Sequence, residues 1–436
     1  MSTKFFRENY HVYLPLLLLP VIVFYKVTGH QFMTGWDDSW MVLNQRTIGG
    51  IHYYNLVAIF SETHLGQYSP VNQLTYSVIY SIFGAKSGVF HLASVLYHAI
   101  NACLVYAFVK TLLGLREREN AKLVTATAFI TALLFAVHPV NVEAVAWISA
   151  SKASLYTLFG LSALLCYLYY LKSARKGSLL GSFVFFLLSF GCKEQAIALP
   201  LVLPLIDRFT GRNLRDKKVW LEKIPFFAFV LLGGLFTLSL RNHDYIAQFA
   251  GYPLWQRLVF ACYAITEYLT KFIIPTNLMY IYPFPMVPGE PLPVQYFIYP
   301  FAIVVMAIVV IYYYRKQAIL IFGMLFFLIN VSSTLHFVSM SRITISADRW
   351  VYLSGVGFFM MASWYGVRFF MQQSKSKKML ICTVFGVYLL YLAGYAVKRS
   401  EVWHDSRTLK KEVRELLEKR KEYLELQELQ EKLEEL

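Results

Sequence analysis

Charge is scarce in this chain. Asp, Glu, Lys and Arg make up 15% of its 436 residues, whereas a soluble globular domain carries about 25%. Hydrophobic residues reach 57%, aromatic residues 17% and mean hydropathy +0.48. No water-soluble core encloses so much apolar surface, and the same figures exclude disorder and a collagen-like chain. Cysteine is also sparse: Cys103, Cys166, Cys192, Cys262 and Cys382 are scattered without C-x-x-C spacing, so neither a zinc site nor a disulfide framework is indicated. There is no GxGxxG, P-loop or GxSxG element, which leaves nucleotide-driven transport and serine hydrolysis unsupported.

What the sequence has instead is a series of apolar runs with few charges, near 12–28, 89–113, 122–137, 153–171, 178–191, 194–209, 224–240, 294–314, 317–335, 350–370 and 378–397. Runs of ~17–25 apolar residues are membrane-crossing helices. The first run lacks an A-x-A site and reads as an anchor rather than a cleaved signal peptide. The net charge of +15 sits mostly in short loops between runs. It therefore sets topology and meets lipid headgroups, and no nucleic-acid partner is expected. Lys4 and Arg7, residues 116–122, 172–177 and 212–218, Arg315–Lys316 and residues 375–378 are cytoplasmic on this reading. The stretch 256–274 holds Arg257, Glu267 and Lys271 and is better interfacial than crossing. The fold class is thus an all-α polytopic membrane protein of about eleven spans, N-terminus inside and C-terminus outside. Residues 29–88 form a long first outer loop whose middle suits amphipathic helices on the membrane surface. Residues 405–436 repeat leucines at three- and four-residue steps among Glu, Lys and Arg. They form a separate amphipathic helix suited to helix–helix contact, native or appended.

Ionisable residues beside a bilayer pair with one another or line a cavity. On the outer side the sequence places Asp37–Asp38, His138, Glu143, Lys152, Lys193–Glu194, Arg241, His243, Asp244, Glu267, Lys271, Arg342 and Asp348–Arg349. A bundle gathers such helix-end residues around one outward pocket. Paired carboxylates such as Asp37–Asp38 supply a general base, although Asp38 reads equally well as a helix cap. Asp348–Arg349 reads as a local cap and ion pair or as an arginine for phosphate. Lys152, Lys193 or Lys271 alone would merely snorkel. Those three with Arg349, four cations from four loops, suit a phosphate or pyrophosphate. His138 lies five residues before Glu143 without a convincing third metal ligand, so a hydrogen-bonded structural histidine is the better reading.

The ordered series WDDSW (36–40), QYSPVNQLTY (67–76), FHLASVLYHAINACL (90–104), LLFAVHPVNVEAVAWISASKASL (133–155), FGCKEQAIALPLVLPLID (190–207), YLTKFIIPTNLMYIYPFP (268–285) and SADRWVYL (346–353) resembles one family. It is similar to the membrane domain of the transmembrane and tetratricopeptide-repeat-containing O-mannosyltransferases and their bacterial relatives, within the GT-C superfamily. The resemblance covers roughly residues 10–410. Residues 1–404 are accordingly expected to be a GT-C-like glycosyltransferase domain, with 405–436 as an extension where family members usually continue into repeats.

The resemblance implies Asp37 as base with Asp38 as its neighbour, and Glu143 as the acidic residue of the second outer loop. It implies Lys152, Lys193, Lys271 and Arg349 as the grip on a lipid phosphate. His138, Asp348, Tyr282 and Arg342 are expected to support the pocket. The implied reaction moves a monosaccharide, mannose as first guess, from a polyprenyl-phosphate donor to a hydroxyl acceptor, preferentially protein Ser/Thr, with inversion. The lipid-linked sugar is a substrate and no cofactor is expected; a divalent metal is left open without being predicted. A lipid or glycan acceptor is the alternative within the class, and a flippase or transporter for lipid-linked sugar the alternative outside it. The expected place is a bacterial inner membrane with the site facing the periplasm, or the endoplasmic reticulum membrane with a lumenal site.

Overall fold

The computed structural model describes residues 3–44, 46–63, 67–117, 119–239, 251–337 and 344–418. Among them the chain is helical, without strands. Helices occupy every one of the eleven apolar runs. Five are long and apolar enough to cross a membrane: Tyr10–Gly29, Ser87–Arg116, Ile148–Ser173, Val294–Tyr314 and Lys375–Trp403. A sixth is added if Ala121–Val137 and Pro139–Ala146, bent by 55°, form one span. The remaining runs give shorter helices, among them Lys176–Cys192, Leu199–Thr210 and Ala318–Ser332. The chain is an all-helical, multi-pass membrane protein.

The core is built on Ser87–Arg116, which packs against Thr3–Phe24, Ala121–Val137 and Ser151–Ser173. Its inward stripe runs Val95, Ala99, Ala102, Val105, Tyr106, Val109 and Leu112, all buried, at the three- and four-residue steps that keep side chains on one helical face. Ser151–Ser173 packs in turn on Lys176–Cys192, and Ala121–Val137 on Gly355–Met371. The charged stretch at 256–274 forms the helix Leu254–Ile273, with Val259, Phe260, Ala264 and Tyr268 buried. In the first outer loop two helices appear, Tyr53–Ser61 and Pro70–Phe83. The former buries Ile59 and exposes Tyr53, Tyr54, Val57 and Phe60. At the other end of the chain Asp405 accepts a hydrogen bond from Thr408 N–H at 2.8 Å and so caps the helix Ser406–Leu417. The rest of the leucine-repeat segment, from 419 on, lies outside the described residues.

Helix ends at one rim are fixed by ions. Asp207 and Lys223 are fully buried and paired at 2.5 Å. Arg212 bridges Asp207 at 3.1 Å and Glu222 at 2.8 Å, and Tyr167 O–H donates to Asp207 at 2.8 Å. Lys152 starts the helix that carries Tyr167; fifteen residues at 1.5 Å each separate them by about 22 Å. The ion network and the outer-loop charges therefore sit at opposite ends of the bundle.

Ala318–Ser332 crosses Gly355–Met371 at a pair of glycines. A Cβ on Gly357 would lie 2.5 Å from the Gly323 carbonyl oxygen, and one on Gly323 would lie 2.7 Å from the Gly357 oxygen. Small residues of this kind let membrane helices approach backbone to backbone. Gly357→Val therefore drives the two helices apart and lowers stability by about 1–3 kcal/mol. The expected result is a reduced midpoint of thermal unfolding in detergent, with Gly366→Val, which has open space, as the unaffected control.

Candidate functional site

Pro139 has no N–H to continue the helix Ala121–Val137, so the chain turns there. It bends into the short helix Val142–Ala146 and the turn Ile148–Ala150 before Ser151–Ser173 begins. This turn delivers Glu143, Trp147, Ser149 and Lys152 to one place. A small, partly enclosed cleft of about 40 Å³ lies there. Its walls come from five parts of the chain: Asp37, Gln67, the turn Trp147–Lys152, Lys193–Glu194 and Arg349.

The two neighbouring carboxylates do different work. Asp38 is fully buried. One of its oxygens accepts the Met33 N–H at 2.8 Å; the other accepts the Ser149 N–H at 2.9 Å and the Ser149 hydroxyl. It thereby ties the first outer loop to the Pro139 turn. Burial pushes its pKa up to about 6, despite the opposing pull of these hydrogen bonds, and Asp37 next door adds to the rise. Asp37 is partly exposed and lines the cleft. Among the described residues it takes one hydrogen bond, from Trp40 Nε1 at 3.2 Å.

Three cations share the cleft. Arg349 is ion-paired with Glu143 through its guanidinium, and its backbone N–H donates to the other Glu143 oxygen at 2.9 Å. Its guanidinium stands 5.3 Å over the Trp147 ring. Burial works against its charge, but Glu143, then Tyr280 and Asp37, hold its pKa above the ordinary value. Glu143 is consumed by this grip, so it orients Arg349 rather than standing ready as a base. Lys152 donates to Gln67 Oε1 at 2.7 Å from the first turn of its helix, where the helix dipole disfavours a cation. Lys193 follows the C-terminus of Lys176–Cys192, is 4% exposed and lies 5.6 Å over the Tyr156 ring.

The remaining expected residues gather behind this wall. Lys271 does not line the cleft. Its ammonium sits 3.5 Å from the Tyr282 ring centre and 3.6 Å from Glu267. Tyr282 O–H donates to Asp348 at 2.7 Å. Burial pushes the Asp348 carboxyl up to about 6, with Lys271 opposing. Consecutive residues of one tight turn thus face two ways, Arg349 to the cleft and Asp348 to the Lys271–Tyr282 pair. His138 is buried. Its Nδ1 accepts the Val140 N–H and its Nε2 meets the Phe272 carbonyl, both at 3.3 Å. This fixes a neutral tautomer and fits the structural reading. Among the described residues no group of three His, Cys, Asp or Glu is placed to hold a metal ion. Arg342, like Arg241, His243 and Asp244, lies outside the described residues.

Sequence reasoning did not single out Gln67, Trp147 or Ser149, and it named Glu194 only among the ionisable residues at the helix ends, without a role. Glu194 carried a signal, as the acid beside Lys193 in an outer loop. Ser149 carried none, because its role rests on a carboxylate 111 positions away.

No known family profile matches the chain. It is 25% identical over 280 residues to Protein O-mannosyl-transferase F38B6.6 of Caenorhabditis elegans, covering 61% of this chain and 38% of that protein. Over 165 residues it is 33% identical to Protein O-mannosyl-transferase TMTC2 of Homo sapiens (36% and 19%). Over 204 residues it is 32% identical to Protein O-mannosyl-transferase TMTC1 of Homo sapiens (42% and 22%). The matched part therefore spans well under half the length of these relatives. The chain is similar, over part of its length, to proteins named as protein O-mannosyl-transferases, in agreement with the resemblance its motifs carry.

Proposed function

We propose that this chain transfers a mannosyl residue from a polyprenyl-phosphate donor to a protein Ser/Thr hydroxyl, with inversion at the anomeric carbon. The observation that carries this reading is the meeting of Asp37, a partly exposed carboxylate beside the buried Asp38, with three cations, Arg349, Lys152 and Lys193, in a single cleft that Glu194 also lines. The relatives' names support the sugar and the protein acceptor. Five helices, or six with the bent pair, are long and apolar enough to cross a membrane, and the loop charges support a cleft on the non-cytoplasmic side.

Asp37 takes the proton of the acceptor hydroxyl as its oxygen attacks the anomeric carbon. The bond from that carbon to the phosphate oxygen breaks, and its electron pair leaves with the lipid phosphate. Arg349, fixed by Glu143, stands with Lys152 and Lys193 where that charge collects. Fixed charge aimed at developing charge is often the largest catalytic contribution; the base adds a factor of about 10²–10⁴. A transporter places its charged residues at mid-membrane between repeats. Here they cluster at helix ends, which favours chemistry at the rim.

With purified protein, polyprenyl-phosphate mannose and an acceptor peptide, Asp37→Asn lowers turnover about 10²-fold or more while the thermal midpoint stays unchanged. Asp38→Asn lowers both, because an amide nitrogen then faces a backbone N–H and a buried bond is lost, at about 1–3 kcal/mol. Wild-type turnover by Asp37→Asn would remove the base from this scheme. Arg349→Lys keeps the charge but loses the fork that grips carboxylate and phosphate together; its turnover falls about tenfold or more.

The Asp38 carboxyl sits at about 6 when folded against an ordinary 3.8. Its contribution to stability is therefore full below about 3.8 and is lost as pH rises through 6. The midpoint difference between the parent and Asp38→Asn should widen as the pH is lowered from 7.5 to 5. Thermal scans across that range check the sign.

A further inference from the structure

We propose that Trp403 is a positioning residue for the cleft, and that the seam between residues 31–35 and the segment 403–412 sets the placement of Asp37. The proposal rests on the transfer reading above.

Trp403 follows the helix Lys375–Ser400 and is fully buried. Its ring stacks on Trp147 at 5.1 Å and 12° between planes. Tyr280 meets both indoles edge-on at 5.4 Å, and Trp36 meets Tyr280 edge-on at 5.2 Å. This aromatic group reaches the site at two places. Arg349 lies over Trp147, and Trp36 is the residue before Asp37. One side chain from beyond the last span thus underlies the cation of the cleft and, through Tyr280 and Trp36, its carboxylate.

The backbone beside it is joined to the same loop. Gln31 N–H donates to the His404 carbonyl at 2.8 Å. The Thr34 and Ser406 hydroxyls share a hydrogen bond at 3.0 Å. At Gly35 a Cβ would lie 3.5 Å from the Lys410 ammonium. The helix Ser406–Leu417 is itself held to the last span by the ion pair Arg399–Glu412 and by fully buried Leu409. Two hydrogen bonds within four residues, just ahead of Asp37, and the close approach of Lys410 to Gly35 locate that residue relative to the segment 403–412. Ordinary core packing would account for a buried tryptophan. It would not require that tryptophan to touch a cleft wall while its neighbours grip the loop of the base. Displacement of a reacting group by about 1 Å costs about 10²-fold in rate.

The test combines Trp403→Phe and Trp403→Ala with a cysteine pair, Thr34→Cys with Ser406→Cys, in a chain whose exposed Cys382 is changed to Ser. Trp403→Phe, which keeps a ring on Trp147, should retain kcat within about 3-fold. Trp403→Ala should lose about 10-fold or more in kcat with KM for polyprenyl-phosphate mannose little changed, because position rather than donor affinity is lost. The cysteine pair should cross-link readily on oxidation in the parent and several-fold more slowly with Trp403→Ala. The cross-linked parent should keep its transfer rate. Parental kcat in Trp403→Ala, a change in KM alone, or an inactive cross-linked parent would overturn the proposal. If Trp403→Ala is not recovered folded, Trp403→Leu gives the same split. If the parent itself transfers no sugar, the transfer reading fails. The cross-linking rates then still report the seam, and equal rates in parent and variant would sink it on its own.

Discussion

A buried carboxylate joins the segments that form the cleft end of this protein. Asp38 accepts hydrogen bonds from Met33 and Ser149, residues of segments that are remote in sequence and share no helix. Together with the Lys152–Gln67 and Tyr76–Ile148 hydrogen bonds, that joint fixes the loop 29–88 on the Pro139 turn. With it, Asp37 has a defined position against Arg349. Keeping such a group ionised away from water is costly, which its raised pKa expresses. The structure meets the cost with three donors on two oxygens, as satisfied buried polar groups require.

Division of labour between adjacent residues recurs across the site. Asp37 is left accessible while Asp38 is consumed in architecture. Arg349 turns to the cleft while Asp348 turns to Tyr282. In each case a tight local backbone sends neighbouring side chains to opposite sides, so a single segment both anchors itself and presents a reactive group. Glu143 shows the same economy. Both of its oxygens bind one residue, one to the guanidinium and one to the backbone N–H, so the arginine cannot swing away without breaking both.

Much of this was legible in the sequence, and the reasons it was legible also explain what was not. Apolar runs dictate helices because a bilayer leaves backbone groups no other partner, and helices form in them, of which five, or six with the bent pair, are long and apolar enough to cross. Length was less readable. Runs such as 194–209 open with a 3₁₀ turn before their α-helix begins, and composition does not show where the backbone tightens. Charges at helix ends announced a shared pocket, and Asp37, Lys152, Lys193 and Arg349 do meet in one cleft. Lys271 carried the same signal but stands behind the wall against Tyr282, because sequence gives the height of a residue in a bundle and not its azimuth. The joints made by Ser149 and Trp403 were invisible for a related reason: neither residue type is informative alone, and each acquires its role from a partner far away in the chain.

The ion network at the opposite rim has a consequence for how the protein enters its membrane. Lys223 is paired with Asp207 out of contact with water, and the two are separated by only sixteen residues of chain. A lone helix Leu199–Thr210 would present an unmatched acid to lipid, and a lone Ile224–Ser239 would trail an unmatched base. Insertion as a joined hairpin cancels both at once. The loop that bears Arg212 and Glu222 then acts as the closure that makes this pair of helices a single unit of assembly.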